Sequence, residues 1–408
     1  MSYDSDVLIA GGGLNGPALA LALAGAGLRV TVVDAQPPRA RSAAGFDGRA
    51  YALAIASQHL LAAVGLWPAL AANAQPITMV RAADGRAGEA AAPFALRFDA
   101  AELDGGPLGY MLEDRFLARA FADAMAENPR ITLIAQTSVV AQQPDAVGVT
   151  VTLSDGRSLR ARLLVGADGR RSGVAERAGI TRTVRGYGQT ALVCALDHEL
   201  PHNGVAQQVF LPTGPLAILP LPGNRCSIVW SETDANARTL EALDDADFLA
   251  LLRPRFGTHL GAIALAGPRF SYPLNLTLAN ACIVHRVALA GDAAHGVHPV
   301  AGQGLNLGLR DVAVLAEVLA DAARRGEDIG AADVLARYQG WRRFDATALA
   351  LAMDAVNRLF SNDNPVLRAG RDLGLGLVQA VPGLRRACMR QAAGLTTNPP
   401  RLLAGQPL

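Results

Sequence analysis

The segment from Asp6 to Asp34 constrains the fold of this chain more than any other. An apolar run, Asp6–Ala10, stops at Gly11-Gly12-Gly13-Leu14-Asn15-Gly16. A helical run follows from Pro17 to Ala26, and a second apolar run, Arg29–Val33, ends at Asp34. The order is strand, G-x-G-x-x-G (Gly11, Gly13, Gly16), helix, strand, acid. Glycines at these spacings let the backbone turn tightly and approach a pyrophosphate, whose oxygens are met by the unpaired N–H groups of the helix start. The acid then accepts from a ribose hydroxyl. Asp34 lies 23 residues beyond Gly11, close to the spacing of about 20 for such a contact. Dinucleotide binding is expected; the plainer alternative is a glycine turn inside an ordinary βαβ unit. The pattern does not choose between FAD and NAD(P).

Two later stretches carry the same logic. Val287–Ala290 is an apolar strand ending at Gly291-Asp292, after which Pro299, Gly302 and Gly304 allow tight turns. The helical spacing of Leu305, Leu309, Val312 and Leu315 follows. Leu159–Gly166 is a strand that runs into Ala167-Asp168-Gly169, then Arg170, Arg171 and Ser172. Two acids at strand ends, together with the opening glycine loop, predict one composite site assembled from distant segments. Asp47–Leu53 is read as the entry to a helix reaching about Val64. Arg49 at that entry is a candidate pyrophosphate partner, with a solvated helix-end arginine as the alternative.

The rest of the chain supplies walls. Residues 73–110 are read as an inserted antiparallel ribbon over the cofactor. Glu113–Met125 is an amphipathic helix carrying Arg115, and Ile131–Ala135 and Val147–Leu153 are strands. From Thr190 the pattern alternates with period two through Ala191–Leu196, Val205–Leu211, Leu216–Pro220, Cys226–Trp230 and Arg269–Leu274, interrupted by a helix at Asp244–Phe256. This predicts an antiparallel sheet forming one side of a substrate pocket. Phe210, Trp230 and Tyr272 are candidates to line it, with simple core packing as the alternative. After Gly326 the pattern is helical: Ala331–Leu359, Val366–Leu377 and Leu384–Gly394. From Val366 onward there are six arginines (Arg368, Arg371, Arg385, Arg386, Arg390, Arg401) and one acid, Asp372. That basic end is read as packing on its own fold or on a second copy, or as touching an anionic membrane surface or partner.

Composition excludes several functions. The 37 basic and 36 acidic residues leave a net charge of +1, so nucleic-acid binding is not expected. Every basic residue is arginine. Schiff-base chemistry, a phosphate-loop lysine and any other mechanism with an essential lysine are therefore excluded. Cys194, Cys226, Cys282 and Cys388 are far apart, so neither a metal site nor a disulfide framework is expected and a reducing cytoplasm fits. No basic-then-apolar leader opens the chain. The apolar N-terminal segments are broken by glycine and charge, as core elements are.

Taken together, Gly11–Gly16 with Asp34, Ala167-Asp168-Gly169, and Gly291-Asp292 through Asn306 resemble the three motifs of the class A FAD-dependent aromatic monooxygenases, the p-hydroxybenzoate hydroxylase superfamily. Within it the likeness is to the ubiquinone-biosynthesis hydroxylases. It rests on GDAAHGVHPVAGQGLNLGLRDV, on the Asp47–Ser57 region, on Gly214-Pro215-Leu216-Ala217 with Leu219-Pro220-Leu221, on Trp230-Ser231, and on Phe360-Ser361-Asn362-Asp363. It spans essentially the whole chain. The fold it implies is α/β: a Rossmann-like FAD-binding domain (1–72, 111–182, 275–325) with the ribbon (73–110), an inserted antiparallel-sheet substrate domain (183–274) and a C-terminal helical region (326–408).

The resemblance implies that Gly11, Gly13, Leu14, Asn15 and Gly16 hold the FAD pyrophosphate and Asp34 the adenosine ribose. Arg49 and Arg115 would reach the pyrophosphate–ribityl region, Val139 the adenine by its backbone, and Asp292 the ribityl or pyrophosphate. Gly302, Gln303, Gly304, Leu305 and Asn306 would face the isoalloxazine. Asp168 is tied to both FAD and NAD(P)H use, although Arg170-Arg171 departs from the common pattern there. No second strand–GxGxxG–helix occurs, so NAD(P)H is expected as a transient co-substrate. The activity implied is hydroxylation of a prenylated aromatic substrate with O2, through a flavin C(4a)-hydroperoxide. A base would help ionise a phenol whose pKa is about 10; His295 and His298 are the candidates, with a loop-fixing hydrogen bond as the alternative for each. Such a substrate would give the basic end a role at the inner face of a membrane or in a biosynthetic complex, and a homo-oligomer is a further expectation. The competing functions are a hydroxylase of a small soluble phenol and a non-catalytic FAD-containing scaffold. A flavin halogenase is disfavoured because it needs a lysine, and a plain NAD-dependent dehydrogenase is a further alternative.

Overall fold

The computed structural model describes residues 2–37, 48–86, 88, 95–103, 106–297, 302–361, 365–395 and 397–408. Five parallel strands form the centre of an eight-stranded sheet, in the order Val287–Leu289, Ser158–Gly166, Ser5–Ala10, Val30–Asp34 and Ile131–Ala135. Val7, Leu8, Ile9, Leu163, Leu164 and Val165 are fully buried, as expected for parallel strands covered on both faces. The helix Asn15–Gly25 is a nearly continuous run of Ala and Leu, all buried in its middle. It packs against the helix Gln303–Arg324, so the first and third motifs are brought together by their own helices. The register is level at the top: Ala10 is opposite Gly166, and Gly166 opposite Leu289.

A second, nine-stranded sheet is built around the 17-residue strand Arg182–His198. It pairs with Arg225–Thr233 on one edge and Phe270–Ala279 on the other. One face of this sheet is covered by the helices Asp234–Glu241 and Asp245–Phe256, over a core of Leu192, Leu216, Ile228, Trp230 and Phe248. The opposite face packs Ala206, Leu219 and Leu221 against Ile77 and Met111. Those two residues belong to a three-stranded sheet of Ala50–Ala54, Gly109–Glu113 and Gln75–Ile77.

Several boundaries differ from expectation, three of them where a strand pairs with a segment the local pattern did not indicate. The stretch after Gly48 is a strand, Ala50–Ala54, paired with Gly109–Glu113, and its helix begins only at Ile55; Asp47 lies outside the described residues. The segment 73–110 is not a separate ribbon. Met79–Asp84 runs parallel to Val205–Leu211 and carries Ala95–Asp99 at the sheet edge, so both extend the second sheet. The strand Phe270–Ala279 continues through residue 274, and His295–Gly296 pairs with it. The stretch 287–297 therefore belongs to both sheets at once.

The C-terminal helices Ala332–Phe360, Pro365–Ala380 and Pro382–Ala393 pack on this body. Arg371 forms a buried ion pair with Asp84 at 2.9 Å, Arg385 meets Glu102 at 2.7 Å, and Arg401 meets Glu317 at 3.3 Å. Three of the tail arginines are thus engaged within the chain. Leu373, Leu377, Val381 and Leu384 are exposed, as are Arg386 and Arg390. Among the described residues no single helix is long and apolar enough to cross a membrane.

Candidate active site

The glycine loop is compact because its glycines leave no room for anything else. Gly11 has φ +112°, and a Cβ there would fall 2.3 Å from the Ala167 carbonyl oxygen; at Gly16 it would fall 1.9 Å from the Gly11 carbonyl oxygen. The first strand end thereby lies against the Ala167-Asp168 turn, with the Ala167 N–H donating to the Ala10 carbonyl at 2.8 Å. A Cβ at Gly12 would strike the Asp34 carboxylate, so the acid at the end of the second strand lies directly beside the loop. Leu14 is buried. Gly12, Gly13, Asp34 and Gln36 line a cleft floored by Phe121 and Leu133. Asp34 Oδ1 accepts from the Gln36 N–H, and its carbonyl accepts from the Thr137 N–H at 3.0 Å. That bond sets the start of the strand Val139–Pro144 beside the acid, with Val139 nearly buried.

Asn15 ties the first motif to the third. Built Cβ atoms at Gly291 and Gly308 would lie 2.2 and 2.4 Å from its Nδ2, so the carboxamide occupies the space both glycines leave. Its Oδ1 is buried without a hydrogen-bond partner, and so is one carboxylate oxygen of Asp168. Asp168 Oδ2 accepts from the Val174 N–H, at the start of the short helix Gly173–Arg177. Arg170, the departure noted in the second motif, donates from Nε to Asp292 at 3.1 Å. The pair is more than a third exposed and joins the second motif to the third.

Arg49 lies 3.4 Å from the buried Asp114, and Arg115 lies 2.6 Å from Glu113 while covering the Phe116 ring. Ala50 stands opposite Glu113 in the three-stranded sheet, which brings both arginines to one end of it. Gly302 caps the helix Gln303–Arg324 in the left-handed region at φ 63°, directly above Ala52. Gln303, Gly304 and Leu305 form the first turn of that helix, where N–H groups point along the axis towards the site. Asn306 is used otherwise. Its Oδ1 accepts from the Ala54 N–H and the Ser57 hydroxyl, and its Nδ2 donates to the carbonyls of Ala52 and Gly302. Two of these bonds clamp the strand Ala50–Ala54 to the helix start, a third reaches Ser57 in the helix that follows, and the fourth closes on the helix's own cap, so the polar capacity of the side chain is spent within the protein.

Of the two histidine candidates, His295 is described. His295 is 4% exposed and donates from Nε2 to Asp311 at 2.6 Å, because a carboxylate only accepts. The fully buried Asp311 also accepts from the Gly291 N–H at 2.8 Å and from Arg342 Nε at 2.7 Å. Burial pushes the Asp311 carboxyl up, but His295 and Arg342 outweigh it and hold the group below the usual carboxylate range. His295 is therefore part of a buried post under the Gly291-Asp292 turn, the loop-fixing role that was the alternative for it. His298 lies outside the described residues. Asp311 and Arg342 were not foreseen. The available signal was a charged doublet, Arg310-Asp311, set between Leu309 and Val312 on a largely apolar part of the helix, where a charge must be paired.

The aromatic candidates divide between the two faces of the second sheet. Tyr272, Ala191 and Ser231 form one cross-strand row, which Pro215 and Phe210 continue. Trp230 belongs to the next row and so points to the other face. It is fully buried against Phe248, 5.9 Å between centroids, and is a core residue. Phe210 is on the Tyr272 row, with its ring tilted against that of Phe360 in the helix Ala332–Phe360 at 4.1 Å between centroids. Tyr272 is 43% exposed on the same row. Burial pushes the thiols of Cys194, Cys226 and Cys282 up to about 12, which leaves them protonated and unreactive.

The group this arrangement fits is extended and bears a diphosphate. A glycine cradle that any Cβ would fill, an acid beside it, an unpartnered carboxamide oxygen and an open helix start all lie at the carboxyl ends of parallel strands. FAD meets each of these demands.

A family model described as FAD binding domain matches residues 4–350. Ubiquinone hydroxylase UbiL of Rhodospirillum rubrum is 50% identical over 407 residues, covering 99% of this chain and 94% of its own. The 3-demethoxyubiquinol 3-hydroxylase of Escherichia coli is 36% identical over 394 residues, covering 96% and 99%. Among solved structures, the p-nitrophenol 4-monooxygenase PnpA from Pseudomonas putida DLL-E4 shares the fold with a TM-score of 0.80, at 21% identity over 98% of this chain and 100% of that one. PqsL, a probable FAD-dependent monooxygenase from Pseudomonas aeruginosa, aligns with a TM-score of 0.70 at 25% identity, over 90% and 98%.

Proposed function

Because this chain belongs to the FAD binding domain family, as an FAD-dependent hydroxylase, we propose that it hydroxylates a prenylated phenol or quinone precursor in ubiquinone biosynthesis, using NAD(P)H and O2. The observation that carries this reading is the 50% identity with a ubiquinone hydroxylase along nearly the entire length of both chains. Bound FAD would supply electron transfer from NAD(P)H to O2 and oxygen insertion into the ring.

The chain's own residues would do the rest. The amides of Gly11–Gly16 and the start of the helix Asn15–Gly25 would face the pyrophosphate, and Asp34 the ribose. Asn15 Oδ1 would receive a hydrogen bond from the cofactor. The first-turn amides after Gly302 would hold negative charge at the flavin end. Arg49, Arg115 and Asp292 would bound the middle of the cofactor, and Val139 the adenine. The row from Tyr272 to Pro215, with Ala217 and Leu219 beside it, would form the apolar wall that orients the ring and keeps water out. The exposed Leu373, Leu377, Val381 and Leu384, flanked by Arg386 and Arg390, would give a membrane-dissolved substrate a peripheral point of entry.

Deleting the gene and measuring quinone intermediates by mass spectrometry tests the pathway. A prenylated precursor lacking one ring hydroxyl should accumulate. Unchanged ubiquinone would remove the pathway reading while leaving the flavoprotein intact. NAD(P)H oxidation by the purified enzyme should respond to a prenylphenol; a response only to a small hydroxybenzoate would move the substrate to soluble phenols.

A further inference from the structure

A partly open cavity of about 200 Å3 lies between the helix Gln303–Arg324, the helix Ala332–Phe360 and the segment Gly394–Leu403. None of its lining residues belongs to the loops of the cofactor site, and the proposed hydroxylation leaves it without a role. Two guanidiniums form its floor: the side chains of Arg310 and Arg342 are 5% and 3% exposed. A cation buried this deeply is costly unless its N–H groups are answered.

Arg342 is answered, by Asp311 at 2.7 Å and by a close pair with Asp345. Arg310 is answered poorly. Its Nη1 reaches Asp345 Oδ1 only at 3.4 Å, and its Nη2 reaches the Gln391 carbonyl at 3.2 Å. Asp345 is shared between the two arginines, and its nearer oxygen serves Arg342. Asp311 is hydrogen-bonded to Arg342, Gly291 and His295, and its charge balances Arg342. The cavity wall therefore presents two guanidiniums and one carboxylate. Burial lowers the Arg310 pKa despite Asp345, as expected for an incompletely compensated cation.

The remaining walls are chiefly apolar: Val314, Leu403 and the indole of Trp341 at the rim. An engineered cavity of about 150 Å3 admits benzene, so this one has room for an aromatic ring with a charged group, and not for a nucleotide or a prenylated substrate. A doubly charged phosphate would leave the apolar walls unmet and would have only Arg310, the loosely paired cation, to meet it. We propose that this cavity is a binding site for a small organic monocarboxylate of about the size of benzoate, its carboxylate on Arg310 and its body against Val314, Trp341 and Leu403.

Calorimetric titration of the FAD-loaded protein with benzoate tests this. One saturable site is expected, with no perturbation of the flavin spectrum, and uncharged benzamide should not bind. Arg310→Gln should weaken benzoate by about tenfold or more, the loss of one charge-assisted contact. Leu403→Trp, which fills the cavity and leaves both arginines, should abolish binding with FAD retained, and this keeps the test decisive if Arg310→Gln misfolds. Benzoate that binds both variants as it binds the parent protein, or that shifts the flavin spectrum, occupies the active site and overturns the proposal. No saturable binding in the millimolar range overturns it as well.

Discussion

Asn15 stands where three separate pieces of sequence meet, and its two ends have different tasks. Its Nδ2 side fills the space beside Gly291 and Gly308, while its Oδ1 is buried with nothing from the protein to accept. Asn15→Leu keeps the volume and removes the acceptor, so FAD should bind roughly tenfold more weakly, within the range of one lost hydrogen bond, measurable by flavin fluorescence quenching. Gly11→Ala should do more. Its φ of +112° and the Ala167 carbonyl leave no place for a methyl, so this variant should purify without flavin.

Asp311 gives a pH signature. Its folded pKa is depressed, because the charges of His295 and Arg342 overcome burial. A depressed carboxyl stabilises the fold fully above the unfolded value of about 3.9 and loses that contribution as pH falls through the folded value. Melting temperature should therefore drop on acidification below about pH 4, and Asp311→Asn, less stable at pH 7, should show a flatter profile there. The charged doublet at 310–311 was visible in the sequence. Its partners were not, since Arg342 and His295 are brought to it only by the packing of two helices and a two-residue strand.

At the level of elements, the pieces read best were those whose pattern is complete within the segment itself. The βαβ unit from Ser5 to Asp34 buries its own Ala and Leu helix and needs little else to be recognised. The strands Ala50–Ala54 and Met79–Asp84 pair with segments about 60 and 126 residues away, and short runs carry no information about so distant a neighbour. Trp230 was a similar case. Period two gave its strand, but which face met the cofactor depended on the helices of 234–256 covering the other side.

The C-terminal helices are fastened to that sheet by Arg371 and Asp84, whose side chains are 2% and 3% exposed. Removing one partner strands a buried charge, so Arg371→Met should cost about 3–5 kcal/mol. The double replacement Arg371→Met with Asp84→Leu should recover most of it, which urea unfolding of the four proteins in the cycle would measure. A double variant as unstable as the single one would mean that other contacts of these residues carry the stability.

Across the whole molecule, the hydroxylase architecture is a cofactor sheet and a substrate sheet that share one piece of chain. His295–Gly296 adds to the edge of Phe270–Ala279 only six residues after Val287–Leu289 leaves the cofactor sheet, and the Gly291-Asp292 turn lies between. The two sheets cannot come apart without pulling on that turn. Separation of the layers and loss of the cofactor are therefore one thermodynamic event. Calorimetry should record a single cooperative transition in place of two domain meltings. Flavin at about a hundred times its dissociation constant should raise the stability of the entire chain by about 2.7 kcal/mol, including the substrate sheet that carries none of the dinucleotide fingerprint.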